Sequence, residues 1–78
     1  MTVITGTQIR DARTLVHWRA WKLAQRAGIS IAVVRRAEKA VGPLPVSELD
    51  ALAIRWALEA AGVEFTNDGP PGVKLTTK

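Results

Sequence analysis

The chain of 78 residues contains no cysteine and a single histidine, His17. Without cysteine it can form neither a disulfide nor a thiolate metal site, which fits a reducing cytoplasm. One histidine with no cysteine beside it supplies too few ligands for a zinc site. No apolar run approaches the roughly 18 residues of a membrane span, and no signal peptide opens the chain. We therefore expect a cytoplasmic protein that holds no metal.

Motifs for catalysis are also missing. The seven acidic residues are scattered along the chain, and no nucleophile stands at a usable spacing from a base. The glycines do not form a phosphate-binding loop between a strand and a helix. We expect neither an enzyme nor a bound cofactor.

Composition predicts one small globular domain over residues 1–78. The chain is 47% hydrophobic and 23% charged, which is typical of a folded rather than a disordered protein. Its net charge is +4 and its isoelectric point is near 10.4. A basic balance in so small a domain favours polyanionic partners.

Apolar periodicity predicts four helices, near residues 6–16, 20–27, 31–40 and 48–61. Thr5 and Gln8 have the spacing of a capping box before the first helix, and Ser30 is positioned to cap the third. His17 is expected to end the first helix, where the negative end of the helix dipole would stabilise a positively charged imidazolium. Two prolines within residues 42–45 predict a loop before the fourth helix.

A β-hairpin is predicted over about residues 63–75. Two short runs that alternate apolar and polar residues flank a segment rich in glycine, proline, asparagine and aspartate. Phe65 and Leu75 are expected to pack this hairpin onto the core.

The fourth predicted helix is apolar on two sides. Ile54, Leu58 and Ala61 form the stripe that we assign to the core, and a helix that is apolar on two sides usually has two partners. The second stripe consists of Leu49, Leu52, Ala53, Trp56 and Ala60. We interpret its residues Leu49, Leu52, Ala53 and Trp56 as a homodimer interface. Packing of Trp56 against the hairpin is the alternative.

Residues 23–34 have the spacing of a helix-turn-helix. Ala24 stands four residues before Gly28, and Val34 stands six residues after it. A small residue lets two helices cross closely, and glycine reaches the positive φ that the turn requires. An apolar residue one turn into the next helix then packs that helix onto the first. This spacing indicates a small DNA-binding regulator.

The chain resembles the Cro/C1-type (XRE) helix-turn-helix family over about residues 4–75. The likeness is carried by Ile4–Thr5, Ala24–Ser30, Ala57–Phe65 and Pro71–Val73. It is greatest with a small bacterial subgroup in which a β-hairpin follows the helices. The resemblance implies a mainly α, lambda-repressor-like fold of four helices and a short C-terminal β-hairpin. It also implies a homodimer that controls transcription by binding double-stranded DNA, with helix 31–39 in the major groove. RNA polymerase or another regulator is a candidate further partner.

The same resemblance assigns side chains to DNA. Ile31, Ala32 and Arg36 stand where family members face base edges. Arg36 can donate a bidentate pair to guanine, whereas Ile31 and Ala32 can only pack on thymine methyl groups. Contacts to phosphate are expected from a further set, which consists of Arg19, Lys22, Ser30, Arg35 and Lys39.

The resemblance also implies a structural ion pair between Arg13 of the first helix and Glu38 near the end of the third. The same pair is expected on physical grounds, because two opposite charges on otherwise core-facing turns must pair to avoid the cost of an isolated buried charge.

The chain departs from the family at the start of the second helix. Arg19 and Ala20 replace the usual polar cap and glutamine, and Trp21 stands where an acidic residue is common. A second interpretation therefore stays open. In it, a degenerate helix-turn-helix acts as a protein-binding antagonist of another regulator through Trp21, Ile31 and Val33.

Overall fold

A computed structural model describes residues 4–41, 44–67 and 69–76 of the chain. The helices are α1 (Gly6–Leu15), α2 (Ala20–Ala27), α3 (Ile31–Lys39) and α4 (Glu48–Ala60), and the strands are β1 (Val63–Thr66) and β2 (Gly72–Leu75). The predicted mainly α class with a C-terminal hairpin is confirmed. Residues 42 and 43 of the predicted loop, and Asp68 of the predicted turn, lie outside the described residues. None of the described helices is long and apolar enough to cross a bilayer.

Every helix contributes two side chains to the hydrophobic core. In α1, α3 and α4 the two positions are three or four residues apart, as an amphipathic helix requires, whereas in α2 they are the adjacent residues Leu23 and Ala24. The buried cluster consists of Ile4, Ile9, Ala12, Leu23, Ala24, Val34, Ala37, Ile54, Leu58 and Val63. Partly buried apolar residues surround it, among them Val16, Trp18 and Phe65.

Helices α1 and α2 end in the same way, with a residue in the left-handed region. Gly28 has φ 72° and His17 has φ 57°. In both cases the next amide donates to the carbonyl oxygen five residues earlier, at 3.0 Å, which is the Schellman pattern. Glycine adopts this backbone conformation freely, whereas the same conformation costs about 1–2 kcal/mol in a residue that has a Cβ atom. The turn after α1 is therefore strained at His17.

Gln8 connects α1 to the hairpin. Its side chain is 2% exposed, and its Oε1 accepts from the Thr5 amide at 2.8 Å, which completes the capping box. Its Nε2 donates to the carbonyl oxygen of Gly72 at 2.9 Å. Weaker contacts of 3.4 Å join the same nitrogen to Thr66 O and Asn67 Oδ1. The buried side-chain amide of Gln8 thus hydrogen-bonds to the backbone at the start of α1 and on both sides of the hairpin turn.

Gly6 lies where the first turn of α1 meets the carboxyl end of α3. A Cβ at this position would press against the carbonyl oxygen of Ala37 and would stand 3.0 Å from that of Glu38. Only a residue without a side chain allows this approach.

The hairpin pairs Val63 with Leu75 and Phe65 with Val73. Val63 is buried, and Phe65 and Val73 pack against the core. The prediction for Leu75 is wrong, because its side chain is about half exposed. Leu75 is the last residue of β2, and within its cross-strand pair Val63 is the residue that is buried.

Candidate nucleic-acid interface

A bidentate ion pair joins α1 to α3. The Nε and Nη2 atoms of Arg13 lie 2.9 and 2.8 Å from the two carboxylate oxygens of Glu38. The Nη1 atom donates to the carbonyl oxygen of Trp18 at 3.1 Å. The two side chains are 22% and 10% exposed, so the pair is shielded from water on most sides. It fixes the last turn of α3 against α1 and the loop that follows α1.

Three residues separate α2 from α3. Gly28 reverses the chain with its positive φ, and the Ser30 hydroxyl accepts from the Val33 amide at 3.4 Å. Leu23 and Val34 are both fully buried, so the inner faces of the two helices share one core. The two helices are therefore held as a unit whose outer faces are free of core packing.

The exposed face of α3 carries positive charge only. Ala32, Arg35, Arg36 and Lys39 are exposed, and their spacing of three, four and seven residues places them on one side of the helix. The one acidic residue of α3, Glu38, is held by Arg13. We call this set of four residues the cationic face of α3.

Ile31 does not belong to that face. It is partly buried and packs against the core, because it stands one turn before the buried Val34. Of the three side chains predicted to face bases, Ala32 and Arg36 are exposed, and Ile31 gives part of its surface to the core. Val33 is likewise partly buried.

The predicted phosphate contacts at α2 occupy its first turn. Arg19 is exposed and Lys22 is partly buried. Arg19 is the N-cap residue, and its side chain makes no capping hydrogen bond. Within the described part of the chain, no carboxylate forms a salt bridge with either residue. Ser30 is also exposed, but its hydroxyl is used in the cap of α3.

Charge is distributed unevenly along the fold. Residues 19–39, which include α2 and α3, contain six of the eleven basic residues and one of the seven acidic residues. Residues 48–64, which include α4, contain four acidic residues and one basic residue, Arg55. Arg55 pairs with Glu59 at 3.1 Å. The α2–α3 unit is therefore the basic part of the protein.

Helix α4 presents large apolar side chains to solvent. Leu49 is 79% exposed and Trp56 is 62% exposed, whereas Leu52 and Ala53, between them, are partly buried. Trp56 is thus not enclosed by the hairpin. These four residues, predicted to form a dimer interface, lie together on the face of α4 away from Ile54 and Leu58.

In comparisons with known proteins, no family model matches the chain, and no curated protein matches it. Membership of the XRE family therefore stays a prediction. The geometry of the α2–α3 unit is the basis for inferring function.

Proposed function

We propose that this protein is a sequence-specific DNA-binding transcription regulator that acts as a homodimer. The observation that carries the proposal is the cationic face of α3, where three basic side chains project from one helix with no acidic side chain among them. Duplex DNA carries a dense row of negatively charged phosphates. When a basic surface neutralises these phosphates, the counterions bound to the DNA are released, and this release favours binding. A helix with its side chains is about 10–12 Å wide, which suits a major groove of about 12 Å.

Arg36 is the residue to which we assign base recognition. It lies near the middle of the cationic face, and its guanidinium can donate two parallel hydrogen bonds to guanine O6 and N7. Ala32, one turn earlier, is small enough to pack on a thymine methyl group. Arg35 and Lys39 would contact the phosphates beside the groove, with Arg19 and Lys22 on the phosphates further along.

The contacts inside the domain support a rigid reading helix. The Arg13–Glu38 pair holds the last turn of α3, and Ser30 caps its first turn. Fixing both ends lowers the ordering cost of binding, since the helix is already in the conformation that fits the groove.

Dimer formation would bring a second copy onto the exposed face of α4. Leu49 and Trp56 stand two turns apart on that face, and two copies related by a two-fold axis would cover each other's apolar side chains. Such a dimer would present two α3 helices to half-sites one helical turn apart, about 34 Å.

The dimer is tested by Trp56→Glu in sedimentation equilibrium. We expect a folded monomer, because a carboxylate in an apolar interface is costly to desolvate. Trp21→Glu is the matched control, since Trp21 is 55% exposed but lies on α2. An unchanged association constant in the Trp56→Glu protein would reject the α4 interface.

DNA recognition is tested by fluorescence anisotropy with the DNA that flanks the gene of this protein. Arg36→Ala should weaken specific binding by about 1–3 kcal/mol and leave the fold intact. The matched control is Arg10→Ala, which removes an exposed arginine of α1 and should cost much less. Equal losses in the two variants would mean that Arg36 supplies charge but reads no base.

The second candidate function is a protein-binding antagonist of another regulator. The exposure of Trp21 favours it, but Ile31 and Val33, the other two residues assigned to that surface, are partly buried. DNA binding therefore uses more of the exposed surface of the α2–α3 unit than this alternative does.

A further inference from the structure

An open surface depression of about 300 Å³ lies at the junction of α1 and α2. Its lining consists of His17, Trp18, Arg19, Trp21 and Lys22. Every lining residue is therefore aromatic or basic. We call it the tryptophan pocket.

The chain forms this pocket because of the turn after α1. The left-handed conformation of His17 reverses the chain, and the Lys22 amide then donates to the Arg19 carbonyl oxygen at 2.9 Å. The first turn of α2 thus brings side chains that are close in sequence around one space. Trp18 is partly buried against the core, so it forms a fixed wall, whereas Trp21 is more than half exposed.

The electrostatics of the pocket favour an anion. None of the five lining residues is acidic, and among the described residues no carboxylate neutralises Arg19 or Lys22. The Trp21 ring, which is more than half exposed, offers a flat apolar surface beside these cations, whereas the Trp18 ring is partly buried and its centroid lies 6.0 Å from the guanidinium carbon of Arg26. A ligand that matches both features has a planar ring joined to an anionic group.

We propose that the tryptophan pocket binds a nucleotide, with its base stacked on Trp21 and its phosphate held by Arg19 and Lys22. Aromatic side chains bind bases of any sequence by stacking, and neighbouring cations hold the backbone. The ligand is either a free mononucleotide or an unpaired nucleotide of a DNA strand. The inference uses no residue of the cationic face of α3, but it shares Arg19 and Lys22 with the phosphate contacts proposed for duplex DNA, so a nucleotide in the pocket would compete with the duplex for these two cations.

The test is an NMR titration that follows the indole N–H signals of the three tryptophans. The full chain is titrated with adenosine monophosphate, with a short oligothymidylate and with inorganic phosphate. We expect saturable shifts of the Trp18 and Trp21 signals, while the signal of Trp56, which is outside the pocket, serves as the internal control. Saturation by adenosine monophosphate would identify a free nucleotide as sufficient, and saturation by the oligonucleotide alone would identify a DNA strand.

Variants test the stacking on Trp21 and distinguish this site from the cationic face of α3. Trp21→Ala should weaken binding by about five-fold or more, as truncation of a stacking residue does, and Trp21→Phe should restore most of it. Arg36→Ala should leave this binding unchanged although it weakens recognition of duplex DNA. The proposal is overturned if no signal shifts, if Trp56 shifts as much as Trp21, if inorganic phosphate reproduces the shifts, or if Trp21→Ala binds as tightly as the wild type.

Discussion

Replacing Gln8 by glutamate exchanges the side-chain NH2 group for an oxygen atom, at the buried side chain that hydrogen-bonds α1 to the hairpin. The side chain keeps its shape, and one carboxylate oxygen can still accept from the Thr5 amide, as Oε1 does at 2.8 Å. The other oxygen replaces the Nε2 donor. It would then face the carbonyl oxygen of Gly72, which Nε2 contacts at 2.9 Å, together with two further oxygen acceptors.

The expected cost follows from these contacts. Losing the 2.9 Å hydrogen bond while leaving its acceptor buried costs about 1–3 kcal/mol, and more when the replacement is charged. A carboxylate in the first turn of α1 offsets about 0.3–1 kcal/mol of this cost, because it interacts favourably with the positive end of the helix dipole. We therefore expect Gln8→Glu to lower the free energy of unfolding by about 2–4 kcal/mol at neutral pH. Because burial among acceptors raises the pKa of the introduced carboxyl, the loss should shrink as the pH falls towards about 4.

Urea unfolding followed by circular dichroism measures this difference. Gln25→Glu is the matched control, because it makes the same chemical change at the exposed glutamine of α2 and should alter stability by no more than about 0.5 kcal/mol. Comparing both variants with the wild type at each pH removes the general effect of acid. If the two variants lose the same free energy, or if the loss at Gln8 grows at low pH, the role that we assign to this amide is wrong.

Three further substitutions test the fold by urea unfolding. Gly6→Ala should destabilise by about 1–3 kcal/mol through overpacking against α3; a gain, as expected at an open helical glycine, would contradict the close approach. His17→Gly should stabilise by about 0.5–1 kcal/mol by relieving the left-handed strain, and a loss would refute that strain. Glu38→Gln should cost about 1.5–3 kcal/mol because Arg13 loses its charged partner. The exposed control, Glu59→Gln, should cost under about 1 kcal/mol, and equal costs would show that burial adds nothing to the pair.

Local signals predicted most of the architecture. The helices stand within one residue of their predicted bounds, since capping residues and apolar periodicity act over four to seven neighbours. Ser30 and Gly28 are examples, because each acts on amides or angles next to it in sequence. The pairing of Arg13 with Glu38 joins distant parts of the chain; the family resemblance predicted it, and the cost of an isolated charge on a core-facing turn agrees with it.

Long-range contacts explain what the sequence did not indicate. Gln8 shows its capping role in sequence, but its bond to Gly72 spans 64 residues and has no local signal. The need for glycine at position 6 also has no local signal in the sequence, because it arises from the close carbonyl oxygens at the end of α3. Ile31 differs in kind, because its partial burial is already indicated by its spacing of three residues from Val34.

Sequence-specific DNA binding is best tested with the DNA that flanks the gene, by measuring binding at two salt concentrations with excess competitor DNA. The proposed function predicts tight binding that survives the competitor and weakens with salt, because the cationic face of α3 displaces counterions from the DNA while Arg36 contacts a base. Binding that disappears when competitor is added would mean that the positive charge acts without sequence preference, and it would contradict the proposed function.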